Sequence, residues 1–166
     1  MNIYRYFSEN AIKLEMDTII EPLGEEESYE KWQLHGKEKV LDELITLLES
    51  TTRIGNRSKL LIDFVNREKK ATTGIGLGIA IPHVRTKQAK EFSIAFARSS
   101  VGYDFNSLDK QPSHLFFIMA APPYDDSFYL KVFKSLAETL QYDEIRDELM
   151  NAQSPGEVIR ILRNLA

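Results

Sequence analysis

The sequence predicts an α/β fold of three layers, a mixed β-sheet flanked by helices on both faces. Three observations carry this reading. His114 to Ala120 is an almost unbroken apolar run, as a central strand covered on both faces requires. Lys37 to Ser50 places Leu41, Leu44, Ile45 and Leu48 at i, i+3, i+4 and i+7, one stripe of an amphipathic helix. Helical patterns stand both before and after the strand-like segments, which supplies a helical layer for each face. A chain of 166 residues has room for one domain with a real core, so a single domain over 1–166 is expected.

The elements follow in order. Residues 3–9 read as a helical turn that packs Tyr4, Tyr6 or Phe7 on the body. Ala11 to Met16 alternates Ile12, Leu14 and Met16 with charged residues and reads as a half-buried strand. An acidic insertion is expected near 17–36. Its five glutamates between 21 and 30 surround Pro22-Leu23-Gly24, a turn signal, and describe a solvated loop or frayed helix. Trp32 there reads as packed and His35 as a surface residue. A second helix is predicted from about Ser58 to Arg67, with Leu61, Phe64 and Val65 inward. Ile79 to Ile81 and Glu91 to Arg98 read as strands, and Val101-Gly102-Tyr103-Asp104 as a turn. Pro122-Pro123 ends the central strand. Ser127 to Gln141 is predicted as a helix burying Leu130, Phe133, Leu136, Ala137 and Leu140, and Asp143 to Asn151 as another. The last helix opens on Ser154-Pro155-Gly156-Glu157, a capping box with proline at the first helical position.

Bulk numbers exclude several classes of function. The net charge of −4 argues against a broad nucleic-acid or anionic-membrane footprint. The absence of cysteine removes disulfides and thiolate metal sites and fits a cytoplasmic location. No apolar run approaches a membrane span, and Met1 to Phe7 lacks the apolar core of a signal peptide.

The stretch Thr72 to His83 is the chemical centre of the chain. Gly74, Gly76 and Gly78 permit backbone paths that side chains block. Pro82 fixes its own φ and pushes Ile81 to an extended conformation, so His83 stands on a stiff arm. A neutral imidazole there can act as nucleophile or proton carrier. A dinucleotide fingerprint fails, because position 79 is Ile rather than Gly, and a phosphate-binding P-loop fails for lack of Gly-Lys-Ser/Thr. His114 reads as structural.

Arg67-Glu68, Thr73-Gly74-Ile75-Gly76 and Gly78-Ile79-Ala80-Ile81-Pro82-His83 together resemble the signature of the type-2 enzyme IIA family. These are the mannitol, fructose and nitrogen-related phosphocarrier domains of the bacterial phosphoenolpyruvate-dependent phosphotransferase system. Ser107 to Pro112, with the apolar strand that ends at Ala120-Ala121-Pro122, resembles the next block of the family. Ala152 to Glu157 resembles the start of its last helix, and roughly 37–165 is covered.

The resemblance implies the same layered architecture and a histidine phosphotransferase activity. In such a protein His83 takes a phosphoryl group from the phosphohistidine of an HPr-like donor and passes it to an enzyme IIB, or signals by holding it. No cofactor and no metal is implied. Arg67 matches the family arginine near the reactive histidine. Thr73 and the backbone around Gly76 and Gly78 are expected to donate hydrogen bonds to the phosphoryl oxygens. Ile75, Leu77 and Val84 are expected to form an apolar docking rim, with Arg85 and Lys87 attracting the partner. The chain departs from the pattern in two places. Tyr129 stands where many relatives carry a second histidine, and Val84 where they often have a small residue. A tyrosine hydroxyl donates a hydrogen bond but brings no positive charge. Three roles follow: a sugar-transport IIA, a nitrogen-type regulator, slightly favoured by Gly74-Ile75-Gly76 with Gly78 and by the Gln153-Ser154 helix start, or a binding module that no longer transfers.

Overall fold

The structure, a computed structural model, describes residues 1–51 and 54–165. Its strands are β1 (Ile12–Lys13), β2 (Gly74–Gly76), β3 (Ile79–Ala80), β4 (His83–Arg85), β5 (Ser93–Tyr103) and β6 (Ser113–Ala121). Its helices are α1 (Tyr29–Glu49), α2 (Arg57–Lys70), α3 (Phe128–Thr139), α4 (Asp143–Asn151) and α5 (Pro155–Arg163).

The strands form one mixed sheet in the order β1-β5-β6-β3-β2. β6 is its axis. It pairs antiparallel with β5 along one edge, and along the other edge it pairs in parallel with β3 and then with β4. β3 meets Leu115 and Phe116, β4 meets Met119 to Ala121, and Ile81-Pro82 bridges the two.

Alternation along β6 divides the core as period-2 geometry demands. Phe116, Ile118 and Ala120 face Val40, Leu41, Leu44, Leu60 and Phe64 of α1 and α2. Leu115, Phe117 and Met119 face Val132, Leu136, Leu149, Val158 and Leu162 of α3, α4 and α5. The three predicted layers are therefore present. Three helices, α1, α2 and α5, are capped by their own N-cap residues: Ser28 accepts from Lys31 N–H, Asn56 from Lys59 N–H and Ser154 from Glu157 N–H.

Several boundaries differ from expectation. α1 begins at Tyr29 rather than Lys37, so the insertion near 17–36 resolves into a loop over 17–28 and two helical turns. Helix propensity and the Ser28 cap win there, and Ile20 lies against Gly36. β1 keeps only two of the six predicted residues, paired with Phe96 and Ala97. The predicted turn at 101–104 is mostly strand: β5 runs to Tyr103 through a register shift, with Gly102 at φ 85°. In α3 the inward residue is Val132, whereas Leu130 is 47% exposed, because the stripe runs Val132, Leu136, Leu140 at i, i+4, i+8. Among the described residues no helix is long and apolar enough to cross a membrane.

Candidate functional site

β4 places His83 beside Met119 at the C-terminal end of β6, with Met119 N–H bonded to the Pro82 carbonyl at 2.9 Å. The ring packs against Phe133, with centroids 4.7 Å apart, and lies 6.2 Å from the ring of Tyr129. These two aromatics stand at i and i+4 on the first turns of α3, so one helix face covers one side of the imidazole. Nδ1 lies 2.7 Å from the Ile81 carbonyl oxygen. A carbonyl has no proton to give, so Nδ1 carries the hydrogen and Nε2 keeps the lone pair. Among the described residues no group bonds Nε2, and the atom retains contact with solvent. Burial holds the His83 pKa below the ordinary histidine value. The Ile81 carbonyl opposes that shift, the Arg67 charge adds to it and the Glu68 charge opposes it. The ring is therefore neutral at pH 7 and nucleophilic at Nε2.

His83 opens on a cleft of about 710 Å³ between α2, the β4 segment and the start of α3. α2 contributes Lys59, Asp63, Asn66, Arg67 and Lys70, which recur on one helical face, and the chain after β4 contributes Arg85 and Lys87. Among the described lining residues five are basic and one, Asp63, is acidic. Asp63 already accepts a hydrogen bond from the Thr86 hydroxyl at 2.5 Å. The cleft is thus strongly cationic on a chain of net charge −4. Arg67 is steadied by one bond, Nη1 to the Ala71 carbonyl at 2.7 Å, which leaves further guanidinium donors for an anion. Arg85 donates to the Asp125 carbonyl at 3.0 Å.

The structure brings together His83, Arg67, Tyr129, Val84, Arg85 and Lys87. It does not bring the glycines there. The Gly78 carbonyl accepts from His114 N–H and Leu115 N–H at the opposite end of β6 from Met119, the partner of His83. Five residues of strand separate the two, about 16 Å. Gly76 and Gly78 therefore cannot donate to a phosphoryl group on His83. They have φ of 97° and 77° and make the β2–β3 turn instead. Leu77 stands in that same turn, and Ile75 precedes it and packs toward the α3–α5 layer, so neither forms a rim around His83. Thr73 is also excluded as a donor: it is 2% exposed and its hydroxyl donates to the Glu68 carboxylate. The sequence reading missed Phe133, Asn66, Lys70 and Lys59 as site neighbours. The helical spacing from Tyr129 and from Arg67 was the available signal. His114 donates from Nδ1 to the Ser99 carbonyl at 2.9 Å, far from the cleft, and His35 lines a separate cleft beside the 17–28 loop.

Comparison with known proteins shows the family. The family model described as "Phosphoenolpyruvate-dependent sugar phosphotransferase system, EIIA 2" matches residues 26–165. The chain is 40% identical over 126 residues to the PTS system fructose-specific EIIABC component of Bacillus subtilis, covering 76% of this chain and 20% of that protein. It thus spans a fifth of that relative. It is 33% identical to the fructose-specific EIIA component of Haloferax volcanii, covering 76% of this chain and 82% of the relative. It is 28% identical to a nitrogen regulatory protein of Bradyrhizobium diazoefficiens, covering 78% and 84%. The crystal structure of nitrogen regulatory protein IIA-Ntr from Neisseria meningitidis superposes with a TM-score of 0.81 at 28% identity, over 98% of this chain and 99% of that one. The chain belongs to the type-2 EIIA family of the phosphotransferase system, whose domains carry phosphoryl groups on histidine in sugar and nitrogen branches.

Proposed function

We propose that His83 is the phosphoryl acceptor of this EIIA domain and that the protein is a cytoplasmic phosphocarrier between an HPr-like donor and an enzyme IIB. The observation that supports this most directly is the bond from Nδ1 to Ile81, which leaves an unprotonated Nε2 facing the cationic cleft. Nε2 attacks the phosphorus of the donor phosphohistidine. The new N–P bond forms as the donor N–P bond breaks, and the donor imidazole leaves with the electron pair. Arg67 and the Tyr129 hydroxyl stabilise the three equatorial oxygens. Onward transfer to IIB reverses the roles. A solved complex of mannitol IIA with phosphorylated mannitol IIB from Escherichia coli has the same fold, at a TM-score of 0.63.

Docking follows from charge. Lys59, Lys70, Arg85 and Lys87 ring the entrance, which suits a partner surface that presents its phosphoryl group among acidic side chains. Regulation by phosphorylation state is the second reading, and the fit to the Neisseria IIA-Ntr structure favours it. The identities to fructose-named relatives, 40% and 33%, favour transport over the nitrogen branch at 28%.

Incubation with phosphoenolpyruvate, enzyme I and HPr tests the proposal. The expected result is an acid-labile adduct that maps to His83 and is absent from His83→Ala. No adduct from HPr or from phosphoramidate overturns it and leaves a non-transferring binding module.

A further inference from the structure

Lys37 and Glu68 form an ion pair sealed in the interior, with side chains 4% and 1% exposed and Lys37 Nζ 2.9 Å from Glu68 Oε1. Such pairs add little net stability over apolar residues of similar volume, so stability does not explain this one. Both carboxylate oxygens of the pair are committed, and the ammonium has further partners. Lys37 Nζ also donates to Thr72 Oγ1 at 3.1 Å and lies 4.8 Å from the centre of the Phe105 ring. Glu68 Oε1 accepts Thr73 N–H at 3.0 Å and Oε2 accepts the Thr73 hydroxyl. Thr73 is therefore clamped at two points. Its carbonyl accepts Ile81 N–H at 2.9 Å, and the Ile81 carbonyl accepts His83 Nδ1–H at 2.7 Å. An unbroken chain of hydrogen bonds thus runs from the buried pair to the imidazole. Pro82 stiffens the last link.

We propose that Lys37 and Glu68 are positioning residues for His83. By holding Thr73, and through it Ile81, they keep the carbonyl where it selects the Nδ1–H form and leaves the lone pair on Nε2. They set Arg67 as well: the neighbour of Glu68 on α2 points about 100° away around the helix, into the cleft. The pair governs the orientation of the nucleophile and of its cation without touching the phosphoryl group. This inference rests on His83 being the acceptor.

The test uses the whole protein and two variants, Glu68→Gln and Thr73→Val. The second keeps the Thr73 backbone bond and the side-chain volume, so it decides the matter if the first does not fold. Long-range proton–nitrogen NMR of His83 reads the form of the neutral ring. The parent is expected to show the Nδ1–H form alone. The variants are expected to show a measurable Nε2–H fraction and phosphorylation by phosphoramidate slowed about tenfold or more, with unfolding still cooperative. A purely structural pair would lower stability and leave the ring form untouched. Folded variants with the parent's single form and a rate within about twofold overturn the proposal. If the parent itself takes no phosphoryl group, the phosphocarrier reading falls, and the NMR result still decides whether the pair positions the ring.

Discussion

The two ends of β6 divide the chemistry of one continuous motif. At the C-terminal end, His83 sits in ordinary extended backbone, with five basic side chains and the single acidic Asp63 among the described residues that line an open cleft. At the N-terminal end, the Gly76-Leu77-Gly78 turn is shaped by left-handed backbone: φ is 97°, 58° and 77° in succession. Asp109 holds this turn by accepting from Leu77 N–H at 3.0 Å, and Leu108 N–H bonds the Gly74 carbonyl at 3.0 Å. The leucine at positive φ is strained, and these bonds stabilise it. The contrast shows that these glycines, near His83 in sequence, do different work from phosphate-binding glycines. They let the chain turn back so that β3 and β4 run along β6 and deliver His83 to the far end.

The comparison breaks at its strongest point if His83→Ala still forms the acid-labile adduct; complete loss is expected, read by phosphopeptide mapping. Next in size is Lys37→Met, which strands a buried carboxylate. It is expected to cost about 3–5 kcal/mol in urea unfolding. At the glycine end, Gly78→Ala should cost roughly 1–2 kcal/mol from the left-handed backbone alone. The added Cβ meets His114 at 3.7 Å, an ordinary contact. Its transfer rate per folded molecule should match the parent. A collapse of that rate at unchanged stability would return the glycines to the phosphoryl site. Tyr129→Phe should slow phosphorylation by about tenfold, the worth of one hydrogen bond to a charged group.

The smallest effect concerns pH. The folded His83 pKa is lowered, so on acidification the unfolded chain takes up its proton first. The stability this group contributes is complete above about 6.5 and is lost as pH falls from there through the folded value. The phosphorylation rate should therefore stay level as pH drops through 6.5 and decline only below it. A midpoint at or above 6.5 would mean that the ring is well solvated.

Much of this was legible locally. Apolar spacing marked α1, α2 and α5, because a helix face repeats within neighbours in the chain. The run from His114 to Ala120 marked the central strand. Pro82-His83, with Arg67 upstream, marked the histidine and the cation that the fold brings to one cleft. The start of α1 was not legible, since glutamates in a loop and in a first helical turn look alike until Ser28 is seen to cap and Ile20 to pack on Gly36. Nor was the strand through Val101-Gly102-Tyr103, where pairing with β6 outweighs a local turn signal.

By itself, then, the sequence determined the layered class, the histidine proposed as the phosphoryl acceptor and the stiffness of the arm that bears it. These depend on residue type and on spacing within a few positions. Tertiary structure alone decided that the glycines lie about 16 Å from the histidine, that the Thr73 hydroxyl is committed to Glu68, and that Lys37 closes an ion pair with a residue 31 positions away. Such outcomes depend on which strand edges pair and which helix faces meet, and those contacts are between residues remote in the chain.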